Sequence, residues 1–113
     1  MGGRTLEFRD GELIVKIKPL GNLLTYYLMD KCSEVSTSGQ KMNVFSQIIY
    51  TVAYGIEEVK FEGKTWPMEV EKIFGKKVEH LRLEYIDEFT SKELNEISEG
   101  ITEITNLTSE EKN

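Results

Sequence analysis

A chain of 113 residues with 39% hydrophobic and 10% aromatic side chains has material for one modest core, and nothing in it calls for a second independent domain. Its single cysteine, Cys32, excludes an internal disulfide framework and a cysteine metal cage, which fits a reducing compartment. The net charge of −6 is uneven: residues 1–56 carry six Lys/Arg against five Asp/Glu and residues 57–113 eight against fifteen, so a phosphate-reading surface of clustered cations is not expected and a protein partner fits better.

The first residues, "MGGRTLEFRDG", have no apolar run after their first basic residue, so no secretion signal is expected. Gly2 is a poor myristoylation candidate, because position six is Leu6 where that motif wants Ser or Thr. No apolar run approaches the roughly 20 residues of a membrane span, and the expected location is cytoplasmic. Residues 5–18, "TLEFRDGELIVKIK", alternate on both sides of Asp10-Gly11, with Leu6 and Phe8 on one arm and Leu13, Val15 and Ile17 sharing a face on the other. A β-hairpin follows, because Asp-Gly accepts the positive φ of a tight turn, and Pro19 ends its second strand.

From Leu20 the spacing becomes helical through Leu23, Leu24, Tyr27, Leu28 and Cys32, with Asn22 as N-cap and an end near Glu34. Cys32 reads there as a small core hydrophobe rather than a nucleophile. The polar stretch "SEVSTSGQK" reads as a surface loop. A second helix follows, with Met42, Phe45, Ile48, Ile49, Val52, Ala53 and Ile56 in a broad apolar stripe, Tyr50 and Tyr54 four apart on its flank, and Gly55 releasing the chain at its end.

The Val59/Phe61 alternation in "VKFEGKTWPME" predicts a short strand and a turn, with Trp66 either on the core rim or exposed as a partner anchor. In "EVEKIFGKKVEHL", Val70, Ile73, Phe74 and Val78 have the spacing of a short helix interrupted at Gly75. "HLRLEYIDEF" places Leu81, Tyr85 and Phe89 four apart, with Ile86 beside them, as a further helical piece. Thr90 and Glu93 then have the spacing of a capping box, and Phe89 with Leu94 that of a hydrophobic staple, so the last helix should start near Ser91.

That helix carries a narrow apolar seam of Leu94, Ile97, Ile101 and Ile104, with Glu93, Glu96, Glu99 and Glu103 over much of the remainder. Gly100 in its middle costs about 1 kcal/mol relative to Ala, so the helix needs a surface to lie on. Either the domain's own core or a partner, including a second copy, could supply it; Leu94, Ile97, Ile101, Ile104 and Trp66 are the candidate partner-binding residues. The expected organisation is a single α+β domain over residues 1–107, a β-hairpin or small antiparallel sheet packed on about four helices, followed by a flexible tail over 108–113.

No catalytic set emerges. His80 is the only histidine, which rules out a two-histidine metal site, and its plainer reading is a surface or core-edge residue. Glu57/Glu58 and Asp87/Glu88 are adjacent in sequence and would point apart on a helix. There is no phosphate-cradling loop and no calcium-loop pattern. Neither catalytic residues, metal nor cofactor are expected.

The order of these features resembles the tail assembly chaperones of long-tailed bacteriophages. The matching pieces are an N-terminal strand segment closing in "KIKPL", a helix ending in "VAYGIEEVKF", and the C-terminal run "LRLEYIDEFTSKELNEISEGITEITNLTSEEKN". A short "FEGKTW" stands where a longer polar insertion would be expected. The resemblance implies a non-enzymatic protein that coats a tape measure protein before the tail tube forms around it, in the cytoplasm of a host cell and without membrane or direct nucleic-acid contact. It also implies a ribosomal frameshift near Glu111, Lys112 and Asn113 that appends a second domain; a gene without a slippery heptamer there would remove that expectation. Two readings of other classes stand beside it: an acidic inhibitor covering the nucleic-acid channel of a host enzyme, and a structural subunit of the virion.

Overall fold

The computed structural model describes the backbone of residues 3–36, 39–42 and 44–112 and the side chains of residues 3–31 and 45–106. The expectations for the side chains of Cys32 and Met42, and for Gly2 and Asn113, lie outside the described residues.

The N-terminal alternation forms β1 (Arg4–Phe8) and β2 (Leu13–Ile17), paired antiparallel with Leu6 opposite Val15. Arg9, Asp10 and Gly11 between them all have positive φ (55°, 57° and 87°), so the link is wider than a two-residue turn but uses the Asp-Gly pair for the reason its chemistry suggests. β5 (Ile56–Phe61) adds to the other edge of β2, and β6 (Lys64–Thr65) folds back on β5, giving the order β1-β2-β5-β6. Here β3 (Ser33–Ser36) and β4 (Gly39–Met42) form a separate two-stranded ladder where a surface loop was expected. A hairpin satisfies its own backbone groups without an apolar face, so polar composition does not distinguish it from a loop.

Helix α1 spans Asn22–Cys32 and α2 Val44–Gly55, so Met42 ends a strand and Ile56 starts one, instead of bounding the helical stripe. The segment expected as a helix broken at Gly75 is a hairpin, β7 (Met68–Ile73) and β8 (Lys76–Leu81), with Phe74 and Gly75 at φ 51° and 77° in its turn. Two consecutive positive φ values match the twist of paired strands, and such a turn cannot continue a helix. Glu71, Ile73, Val78 and His80 turn inward on this hairpin, whereas Val70 and Phe74 are exposed; the inward face is not uniformly apolar, and that disguises its alternation. The next piece is a 3-10 segment, Leu83–Glu88, rather than an α-helix beginning at His80. The architecture is thus α+β: antiparallel sheets with three α-helices and two 3-10 segments, this one and a three-residue one in the β1–β2 link, among the described residues.

Helix α3 starts at Ser91, as its capping chemistry requires, and runs to Lys112, past the point at 108 where the sequence predicts a tail. The Thr90 backbone N–H donates to Glu93 Oε1 at 2.9 Å, and the Glu93 N–H to Thr90 Oγ1 at 3.1 Å. Arg9 reaches across from the β1–β2 link and donates to both Glu93 oxygens, Nε to Oε2 at 2.9 Å and Nη2 to Oε1 at 2.8 Å. These charge-assisted bonds, the Arg9 pair first, hold the Glu93 carboxyl below the usual carboxylate range. Glu93→Gln keeps the capping geometry but loses the charge facing Arg9, so urea unfolding should show a loss of about 1 kcal/mol.

The core lies between the four-stranded sheet and the helices. Leu13, Val15 and Ile17 of β2, Ile56 and Val59 of β5, Val52 and Ala53 of α2, and Ile97 and Ile101 of α3 are all 0% exposed. Gly100 is where α3 crosses β2: a Cβ there would stand 3.0 Å from Ile17 Cδ1. Its cost in helix propensity is therefore offset by close approach to the sheet. Gly55 does the same at the end of α2, where a Cβ would lie 2.5–2.8 Å from three side-chain atoms of Ile101.

Candidate functional site

The seam of α3 lies on the chain's own core. Ile97 and Ile101 are fully buried, Ile104 is nearly so, and Leu94 is half-buried against the same cluster. Trp66 is half-buried on the core rim, its ring 5.2 Å from Tyr85, 5.3 Å from Phe89 and 6.4 Å from Phe61. The five residues expected to hold a partner are thus not brought together as an exposed surface.

A different place gathers polar chemistry. The β7–β8 hairpin leans on α2 so that the His80 ring stacks on Tyr54, with centroids 4.4 Å apart and planes at 20°. Tyr54 donates its hydroxyl to Glu71 Oε1 at 2.5 Å, and Tyr27 of α1 donates to Glu71 Oε2 at 3.1 Å, so one carboxylate ties β7 to both helices. His80 Nδ1 lies 2.9 Å from the Leu81 carbonyl oxygen, which can only accept, so Nδ1 carries the hydrogen. Its Nε2 then faces Glu71 Oε1 at 3.5 Å and Glu69 Oε2 at 3.9 Å. Of the two places expected for His80, surface or core edge, the surface is excluded, since the residue is 5% exposed.

An open cleft of about 620 Å³ runs along this cluster, lined by Lys31, Tyr50, Tyr54, Glu71, His80 and Arg82 among others. The Lys31 ammonium sits over the rings of Tyr27 and Tyr50, at 5.2 Å and 5.5 Å from their centroids. No family model, curated protein or solved structure matches the chain. The site is therefore read from its own chemistry.

Hydrogen bonds from Tyr54, more than those from Tyr27 or the charge of Lys31, hold the Glu71 carboxyl below the usual carboxylate range. Burial first, and then the Glu71 carboxylate, push the Tyr54 hydroxyl well above its ordinary value. Proton transfer near neutrality is best served by a group that titrates near neutrality, and these two are driven away from it in opposite directions. A carboxylate fixed in its charged form beside aromatic faces is instead suited to holding a cation. Among the described residues no group of three or more His, Cys, Asp or Glu could hold a metal ion, and no helix is long and apolar enough to cross a membrane.

Beside this cleft runs an apolar groove of about 360 Å³ between the start of α1 and the tip of the β7–β8 hairpin, with Leu23, Leu24, Ile73, Phe74 and Val78 in its walls. Leu23, Tyr26 and Met29 lie three apart along α1 and are 56%, 69% and 43% exposed; Phe74 is 65% exposed, its ring edge-on to Tyr27. Sequence reasoning placed Leu23 in the helical spacing of α1 without deciding what it faces, and assigned Phe74 to a helix. The signal that could have found the groove is the width of the apolar arc on α1, too broad for one buried side.

Proposed function

We propose that this protein is a non-enzymatic tail assembly chaperone of a bacteriophage, acting in the cytoplasm of the host cell by holding an apolar stripe of a helical client, the tape measure protein. The observation that carries this reading is the apolar groove in which exposed Leu23 of α1 and exposed Phe74 of the hairpin tip share walls with Leu24, Ile73 and Val78, because soluble domains rarely leave several large apolar side chains together in water without a use for them. The resemblance in element order supports the same reading. The burial of the α3 seam assigns that helix to the protein's own stability, so in this reading α1 and the hairpin tip hold the client in its place. An amphipathic helix fits such a groove through anchors at three- and four-residue spacing.

Leu23→Asp with Tyr26→Asp places two charges on this face at positions that support no core packing. Binding of tape measure helical peptides should fall at least about tenfold, a change of about 1.4 kcal/mol, while the thermal midpoint stays within a few degrees. Unchanged binding by the folded double variant would remove the client surface from α1. Salt separates the alternative: a partner held mainly by the acidic surface would be lost steeply between low and high ionic strength, and an apolar client would not. Purified virions test the third class, since a structural subunit remains in them and a chaperone does not.

A further inference from the structure

The cleft beside Glu71 has a property that docking of an apolar stripe does not use: it already holds a cation. Tyr27 and Tyr50 present ring faces to the Lys31 ammonium, and Glu71, fixed in place by two phenol hydroxyls, supplies the negative charge behind them. Glu69 and Glu84 at the cleft's edge are already paired with Arg82, at 3.4 Å and 3.1 Å, so Glu71 is the carboxylate that serves the ring-lined end. Lys31 itself stands in the last turn of α1, exposed, on a long side chain that can swing out without moving backbone.

We propose that this cleft is a receptor for a lysine side chain of the partner, with Lys31 as the internal stand-in that the partner's ammonium displaces. The inference deepens the reading of the protein as one that holds a helical client, because the apolar groove and the cleft share the α1 and β7–β8 elements. A tethered side chain competes at an effective concentration on the order of millimolar, so a free lysine derivative is excluded by Lys31 unless it binds more tightly than that. A client seated in the neighbouring groove presents its own lysine at a comparable effective concentration and competes on equal terms. Lys31 thus makes cation recognition conditional on docking. Aromatic faces backed by a carboxylate favour an ammonium over its neutral amide, because the attraction is to charge. Acetylation of the client lysine therefore removes it as a ligand.

The test uses Nα-acetyl-lysine methylamide as probe, its Nε-acetylated form as control, and amide and ring NMR shifts on the full chain. Lys31→Ala should strengthen probe binding at least about tenfold over the unsubstituted protein, with shifts confined to the residues around Glu71, and the Nε-acetylated form should not bind. Tyr50→Leu in the Lys31→Ala background removes one ring wall while leaving Glu71 and its hydrogen bonds in place, and should return binding to the weak level. Probe binding that is equal with and without Lys31, or equal for the acetylated and free amines, overturns the proposal. Leu23→Asp with Tyr26→Asp separates the two readings: it should abolish client binding and leave probe binding to the Lys31→Ala chain intact. Loss of the client without loss of the probe is a result of groove docking, whereas a folded Lys31→Ala chain that ignores the probe and still binds client refutes the cation site alone.

Discussion

Ile101→Ala should lower the unfolding free energy by about 2–5 kcal/mol, and Gly55→Ala by about 1–3 kcal/mol, yet the two together should cost less than their sum. Ile101 is completely buried, so its truncation loses both transfer free energy and packing. Gly55 lies against it so closely that an added Cβ would meet Cδ1, Cγ1 and Cγ2 of Ile101 at 2.5–2.8 Å, inside any tolerable contact. Those three atoms are the ones that Ile101→Ala removes. In the doubly substituted chain the methyl group introduced by Gly55→Ala occupies part of the space that Ile101 vacated, and a coupling of about 1–3 kcal/mol should appear in a double-mutant cycle by urea or guanidinium unfolding. Strict additivity would mean that α2 and α3 do not meet as the structure has them. An acidic residue at Ile101 goes further: an unpaired charge at a fully buried position should leave no folded population at all, as judged by near-UV circular dichroism.

Removing the carboxylate at Glu71 is the second large effect. Glu71→Ala leaves the Tyr54 hydroxyl, on a side chain only 3% exposed, without its acceptor, and frees Tyr27 as well, so a loss of about 2–3 kcal/mol is expected. Tyr54→Phe removes the donor instead of stranding it and should cost less, about 1 kcal/mol. The pH dependence follows from the same contacts. Glu71 and Glu93 both titrate below their usual value of 4.5 in the folded protein, so the folded state binds fewer protons there than the unfolded chain. Their contribution is present above the ordinary carboxylate range and is lost as pH falls through their lowered values. Tyr54 works in the opposite sense: its folded value is raised, so its contribution is complete below the ordinary tyrosine value of 10.0 and is lost as pH rises beyond it. Glu71→Ala should therefore flatten the acid side of the stability profile, while Glu93→Gln flattens what remains. A profile in which neither substitution changes the acid limb would disprove both assignments.

Much of the fold was legible wherever one physical requirement dominated a stretch. The Asp10-Gly11 pair with alternation on both sides defines β1 and β2, the run from Phe45 to Ala53 defines α2, and Thr90 with Glu93 defines the first turn of α3, since each is a local requirement met by neighbouring residues. The β7–β8 hairpin was not legible. Its inward face carries Glu71 and His80, made acceptable there by Tyr27 and Tyr54 from distant helices, and its outward face carries Val70 and Phe74; counting apolar positions therefore returned a helix. The cleft was missed for the same reason, because its members come from α1, α2 and both strands of that hairpin and share no spacing.

The stretch from Phe89 onward shows the division most sharply. Sequence alone determined where α3 begins, that it has one narrow apolar seam, and that Gly100 denies it independent stability, because capping and propensity act over a few residues. What covers the seam was decided only in three dimensions: β2 meets it at Gly100, and α2 meets it at Gly55. Amphipathicity records that a face must leave water and is silent about what removes it. Close approach of two backbones depends on residues 46 positions apart, here Gly55 and Ile101, and only the folded chain brings these together.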